Sequence, residues 1–381
     1  MKLQLLNRIS FPQSSRIRVA LLSAVLAGLG CEQLGIKPEG DGSAPADATA
    51  EAGSDPNATD AAANAPVFTP EQAKPMSEDP GVAGSAANAA AVTPEQFLAN
   101  FRAKATREIN DADLATLSGM TELHPQITEL SLKGSPISRN GLATLASFPA
   151  LRTVDLTGST IQGDDWTALA TATQIESLNL ESAGISDASL AAVAPLVNLK
   201  YLNLNRTQIS DQAFIHFMKL SNLEEIHIEN TRLTGAGFEA FGRQGAKSPL
   251  KKIYAGNTKF GQFGFVHIKG IDSLEVLGAA NSDVTDSCLV ALKGMDKLRS
   301  LHLGSNQISD QGLTVLAGLK KLEELDISGS RNVSNASLNR IRKHEGLTMI
   351  DVDDTSCNQQ GVEEMKKLHP NCRIFFGGAT Y

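Results

Sequence analysis

The sequence predicts an α/β solenoid: a curved stack of short units with a parallel sheet on its concave side and helices on its convex side. The stretch Leu298–Lys321, LRSLHLGSNQISDQGLTVLAGLKK, shows why. Leu298, Leu301 and Leu303 fall among polar residues as in a strand with one buried face, while Ile308, Leu313, Leu316 and Leu319 make one side of a helix. Units of this kind begin at Ile127, Leu151, Ile175, Leu199, Leu223, Leu250, Leu274, Leu298, Leu322 and Leu347, most of them 24 residues apart. One strand, one turn and one helix cannot bury their own apolar face, so the copies must stack.

The shared pattern, L-x-x-L-x-L-x-x-[NST]-x-I-[ST]-D-x-x-L, resembles the leucine-rich repeat family, near its ribonuclease-inhibitor-like and cysteine-containing subtypes, over roughly residues 105 to 376. The resemblance implies about ten repeats in a horseshoe that binds other proteins. It implies no reaction.

The chain starts differently. Lys2, Arg8, Arg16 and Arg18 precede an apolar run from Val19 to Leu29, an order that reads as an export signal over residues 1–30. Its end, Leu26-Ala27-Gly28-Leu29-Gly30-Cys31, resembles a bacterial lipoprotein signal, which implies lipidation of Cys31 and a membrane anchor. Gly28 stands where that pattern usually has leucine, which leaves cleavage without lipidation, or an uncleaved anchor, as the other outcomes. Residues 31–92 are poor in large apolar side chains and carry ten acids against two lysines, the composition of a disordered acidic tether. As a flexible coil it would span roughly 40–45 Å.

The remaining parts are a helical cap and half-repeat at 93–126, the repeat domain at 127–371 and a capping strand with tail at 372–381. Thr93-Pro94-Glu95-Gln96 has the form of a helix start with its capping box. The whole chain is −8; with +4 in the leader and −8 in the tether, residues 93–381 are left at −4. Such a mildly acidic domain argues against broad nucleic-acid binding. Cys288, Cys357 and Cys372 are too scattered for a disulfide framework, and there is no CxxC.

Alignment of the units assigns several conspicuous residues to structure. Trp166 takes the core position of Leu190, Phe214 and Leu313. Cys357 replaces the turn isoleucine of Ile209 and Ile308, and Cys288 falls where other units have Gly141, Ser189, Ala213 and Gly312. The pairs Ser186-Asp187, Ser210-Asp211 and Ser309-Asp310 read as helix caps.

The third, fifth and seventh residues of each unit should face inward from the sheet. In the middle of the array these positions nominate a partner-binding surface: Tyr201, Asn203, Asn205, His227, Glu229, Lys252, Tyr254 and His302, with both tyrosines exposed. Toward the C-terminus they form an acidic strip, Glu324, Asp326, Asp351 and Asp353, beside Asp354. The same middle region departs from the repeat: the fifth unit is three residues longer, Ala255 and Ala279 replace strand leucines, and Gly261 replaces a Ser/Thr cap.

Spacing of about 6.8 Å along a strand separates Glu225, His227 and Glu229, and about 14 Å separates His227 from His302, too far to converge on one metal ion unaided. No catalytic motif stands in a suitable context. The expected function is therefore a monomeric, cofactor-free interaction module of the bacterial cell envelope, binding a protein or peptide. A structural spacer is the rival reading. An enzyme is a remote one, requiring a deep polar pocket beside Tyr254 in the fifth and sixth units.

Overall fold

The computed structural model describes residues 92–244 and 248–381. The signal segment, Cys31, nearly all of the tether and Gly245–Lys247 of the longer fifth unit lie outside the described residues.

One twelve-stranded sheet runs in chain order: β1 Glu129–Ser131, β2 Thr153–Asp155, β3 Ser177–Asn179, β4 Tyr201–Asn203, β5 Glu225–His227, β6 Lys252–Tyr254, β7 Val276–Gly278, β8 Ser300–His302, β9 Glu324–Asp326, β10 Met349–Asp351, β11 Arg373–Phe376 and β12 Ala379–Thr380. The first eleven are parallel, and their register puts every unit's middle strand residue into one row. From Val154 to Ile350 that row is fully buried. The leucine-rich repeat solenoid expected from the sequence is the fold observed.

The turn after each strand explains the sequence that follows it. Three residues past β1 to β10 stand Gly134, Gly158, Ser182, Arg206, Asn230, Asn257, Asn281, Ser305, Gly329 and Asp354, all left-handed with φ between 49° and 70°. The conformation costs a non-glycine residue on the order of 1 kcal/mol, but from Gly134 to Gly329 it aims the N–H at the next coil. Arg206 N–H, for example, donates to Glu229 O at 2.8 Å, and Asn281 N–H to Gly304 O at 2.8 Å. The following hydroxyl or amide then caps a carbonyl that would otherwise be stranded. Thr207 Oγ1 donates to Leu204 O at 2.7 Å, and Asn306 Nδ2 donates to Ala279 O at 2.7 Å.

The Ser-Asp pairs need a correction. The serines do cap their own turns: Ser210 and Ser309 accept from Gln212 and Gln311 N–H at 3.3 and 3.2 Å. The aspartates instead reach across to the next coil. Asp187 accepts both the N–H and O–H of Ser210, at 2.8 and 2.6 Å. Asp211 holds Thr234, Gly235 and Gly237 in the same way, Asp286 holds Ser309, and Asp310 holds Ser334 and Ser337. This is also why the residue three after the capping serine is small at Gly141 and Gly312: a Cβ there would strike the carboxylate of Asp111 or Asp286. The ladder is interrupted beyond Thr234: Gly235 stands where the other pairs have aspartate, and Gly261, at the next cap position, has no hydroxyl. Cys288 fits the following coil because its Sγ meets Gly261 O, at 3.1 Å, rather than an acid.

The convex elements are shorter than a row of full helices. Several units have only 3₁₀ turns, as at Thr167–Thr171, Ser189–Val193 and Gly312–Gly318. The rise of about 2.0 Å per residue in such a turn spans the coil in fewer residues than an α-helix would. At the N-terminal end, the helix Pro94–Ala103 has the Thr93–Gln96 capping box and buries Leu98 and Phe101. At the other end β11 is not the last strand: Gly377 and Gly378 turn the chain back so that β12 pairs antiparallel with it. Trp166 is fully buried, its indole N–H directed at Gly184 O at 3.4 Å. Cys288, Cys357 and Cys372 are free thiols.

The aspartate ladder can be tested at Asp310. Burial opposes its charge, but the hydrogen bonds from Ser334 and Ser337 outweigh that and hold its carboxyl below the usual range. A lowered carboxylate stabilises the fold fully above its unfolded value of about 4, and the contribution is lost as pH falls through the folded value. Asp310→Ala should lower the unfolding free energy at pH 7 by about 2 kcal/mol, the cost of losing hydrogen bonds to a charged group. In urea melts that deficit should shrink steadily below about pH 4.

Candidate interaction surface

Strand alternation turns the first and third residues of each strand inward, and the parallel register sets neighbouring units side by side. Tyr201, Glu225 and Lys252 therefore stand in one row, and Asn203, His227 and Tyr254 in the next. The His227 ring packs between the two tyrosines. It lies 4.3 Å from Tyr254, stacked at 24°, and 5.1 Å from Tyr201, tilted at 51°.

Glu225, which the sequence reading left out of the nominated set, organises this cluster. Its Oε1 meets His227 Nε2 at 2.7 Å and its Oε2 meets Lys252 Nζ at 2.9 Å. Side chains two apart on one strand thus make direct contact, although their backbones are a full pleat repeat apart. Burial works against the Glu225 charge, but the bonds from His227 and Lys252 prevail and lower its pKa. An ionised carboxylate only accepts, so Nε2 of His227 carries the hydrogen. Burial, with Glu225 nearby, pushes the Tyr201 phenol up to about 12, so it stays neutral and is no general base at neutral pH.

The other nominated residues divide. Asn205 and Glu229 pair: Asn205 Nδ2 donates to Glu229 Oε2 at 3.2 Å, and Asn205 Oδ1 accepts Glu229 N–H at 2.6 Å. Asn203 must be corrected. It is only 6% exposed and accepts Asn205 N–H at 2.9 Å, so it shapes the strand end and offers little surface. Tyr201 and Tyr254 are half-buried by the stack, not exposed. His302 belongs to a second group on β8, where Ser300 Oγ meets its Nε2 at 2.8 Å and donates to Glu324 Oε2 at 2.9 Å.

Two further surfaces escaped the sequence reading. The residue before each strand alternates in sign through eight units: Arg152, Glu176, Lys200, Glu224, Lys251, Glu275, Arg299 and Glu323. Neighbours in this row pair, with Lys200 to Glu176 at 2.6 Å and Lys251 to Glu224 at 2.8 Å. The alternation was visible in the repeat alignment. On the convex side, Ile215, Met218, Phe263, Val266 and Val290 are exposed apolar residues that core-based periodicity does not flag. Clefts of about 400 and 430 Å³ also lie on that side, between units five and six and between units seven and eight. Neither is lined by Tyr254. Among the described residues, no three His, Cys, Asp or Glu side chains gather as a metal set.

Comparison with known proteins supports the fold. A family model described as Leucine Rich repeat matches residues 296–317. No curated protein sequence matches the chain. Among solved structures, an internalin, InlF of Listeria monocytogenes, is similar over 74% of this chain and 87% of its own, with 18% identity and a TM-score of 0.54. At that identity the likeness is one of fold alone. Internalin C2 of the same organism aligns over 68% of this chain and 93% of its own at 22% identity, with a TM-score of 0.39. TLR13, solved in complex with the single-stranded RNA ssRNA13, aligns over 66% of this chain and 35% of its own at 18% identity, with a TM-score of 0.49. Neither of these last two superposes well enough to carry an argument.

Proposed function

We propose that this chain is a non-enzymatic interaction module of a bacterial cell envelope, which receives a protein or peptide partner on the centre of its concave sheet. Leucine-rich repeat proteins generally mediate protein–protein interaction, and the single observation that favours the concave centre here is the Tyr201–His227–Tyr254 stack. Half-buried aromatic rings held rigid by neighbours give contact area at little entropic cost, which is the composition of binding hot spots. Glu225 and Lys252 supply polar groups at its margin.

The test is capture of partners from envelope extract by the full chain, beside a Tyr201→Ala/His227→Ala/Tyr254→Ala variant shown by circular dichroism to keep its fold. The proposal expects a partner that the parent retains and the variant loses, by about tenfold or more in affinity. Retention by both would remove the concave centre from the account, and no partner with either would favour a structural spacer.

The anchor is part of the same proposal and rests on the signal-like sequence ending at Cys31. In a bacterial host the parent should sediment with membranes, and Cys31→Ser should move to the soluble fraction. Equal distribution of the two would remove lipidation of Cys31.

A further inference from the structure

We infer that the partner of the concave sheet is a polypeptide rich in lysine or arginine, with a cationic side chain seated between Tyr254 and His302. The inference rests on the reading of the concave face as the recognition surface and adds the chemistry of its occupant.

Charge is the first support. At the inward positions of the ten units, nine carboxylates face two lysines, a net of −7. Both lysines are already engaged, Lys133 with Asp155 at 3.8 Å and Lys252 with Glu225 at 2.9 Å. Arg373, in register with Met349 on β11, adds one cation at the far edge. Residues 93–381 sum to −4, so the rest of the domain is at +3 and the negative charge is concentrated on this one face. The sheet margin, by contrast, neutralises itself through its alternating row of opposite charges.

The last two full units of this face, nine and ten, hold four of the nine carboxylates, Glu324, Asp326, Asp351 and Asp353, with no lysine or arginine at their own inward positions. Burial, reinforced by Asp326, Asp353 and Asp354, pushes the Asp351 carboxyl up to about 6, against a single backbone hydrogen bond from Asp353. A partner's cation would supply the missing counter-charge.

Shape is the second support. Tyr254, Gly278 and His302 are in register on β6, β7 and β8, so the residue between the two rings has no side chain. Two strand spacings set the flanking backbones about 10 Å apart. A planar guanidinium in contact with a ring on each side needs about 7–8 Å. Asp326 is the next residue in the same row, beside His302. Two aromatic residues flanking a glycine, with a carboxylate next in the row, supply the residue types an arginine side chain favours.

The test uses the full chain and two labelled twelve-residue peptides of alternating sequence, Arg/Thr and Glu/Thr, read by fluorescence anisotropy at low salt. Two variants change the net charge equally: Glu324→Gln/Asp326→Asn/Asp351→Asn on the concave face, and Asp272→Asn/Asp296→Asn/Glu345→Gln on exposed outer loops. The arginine peptide should bind the parent and the outer variant alike, and the concave variant about tenfold more weakly. Gly278→Val, which fills the gap, should weaken it too, with its melting curve recorded as a check of folding. Equal binding to both charge variants, equal binding of the glutamate peptide, or no binding of the arginine peptide would overturn the inference. The concave reading itself is judged separately: a captured partner lost by the Tyr201/His227/Tyr254 variant would uphold it even if the arginine peptide failed.

Discussion

Every coil of this protein is half a structure until its neighbour closes it. The strand row from Val154 to Ile350 is buried only because units lie above and below it, and the left-handed turn residues spend their N–H groups on the next coil. The aspartate ladder repeats that logic on the helical side, one carboxylate ordering the start of the following turn. Local strain at Arg206 or Asn281 is offset by contacts that exist only in the stack. The ends must then be covered, by a capped helix at one side and by the β11–β12 hairpin at the other.

Where the ladder lapses, the packing changes character. At Gly235 and Gly261, close backbone approach takes the place of the acid-to-cap contact: a Cβ on Gly235 would strike Gly264, and one on Gly261 would strike the Asp283 carbonyl. Buried phenylalanines pack against one another in this stretch, with Phe238 and Phe260 edge to face at 5.4 Å. The aromatic stack on the concave side begins on β4 and ends on β6, next to this repacked stretch. The departures from the repeat are therefore coherent, glycine and phenylalanine together standing in for aspartate and leucine.

The fold was legible in the sequence because the repeat period fixes strand, turn and core position for each residue, Trp166 included. What was not legible depends on direction across coils. A Ser-Asp pair has the same spelling whether the acid caps its own helix or grips the next one. Nor does alternation reveal that Asn203 folds back beneath Asn205, or that Glu225 joins His227 to Lys252; only the settled rotamers decide that. β12 is two residues long, and the adjacent glycines were its single trace. The candidate surface was located by its strand positions, but it divides into a central stack and a separate His302 group at Gly278, the residue in register between Tyr254 and His302.

The proposed function requires that the concave face meet the partner. Hydroxyl-radical footprinting of the full chain, free and with its captured partner, measures this directly because tyrosine, histidine, methionine and phenylalanine are all reactive. Labelling of Tyr201, His227 and Tyr254 should fall in the complex, while Met218 and Phe263 on the convex side stay at their free level. Protection of Met218 and Phe263 with the three concave rings unchanged would contradict it.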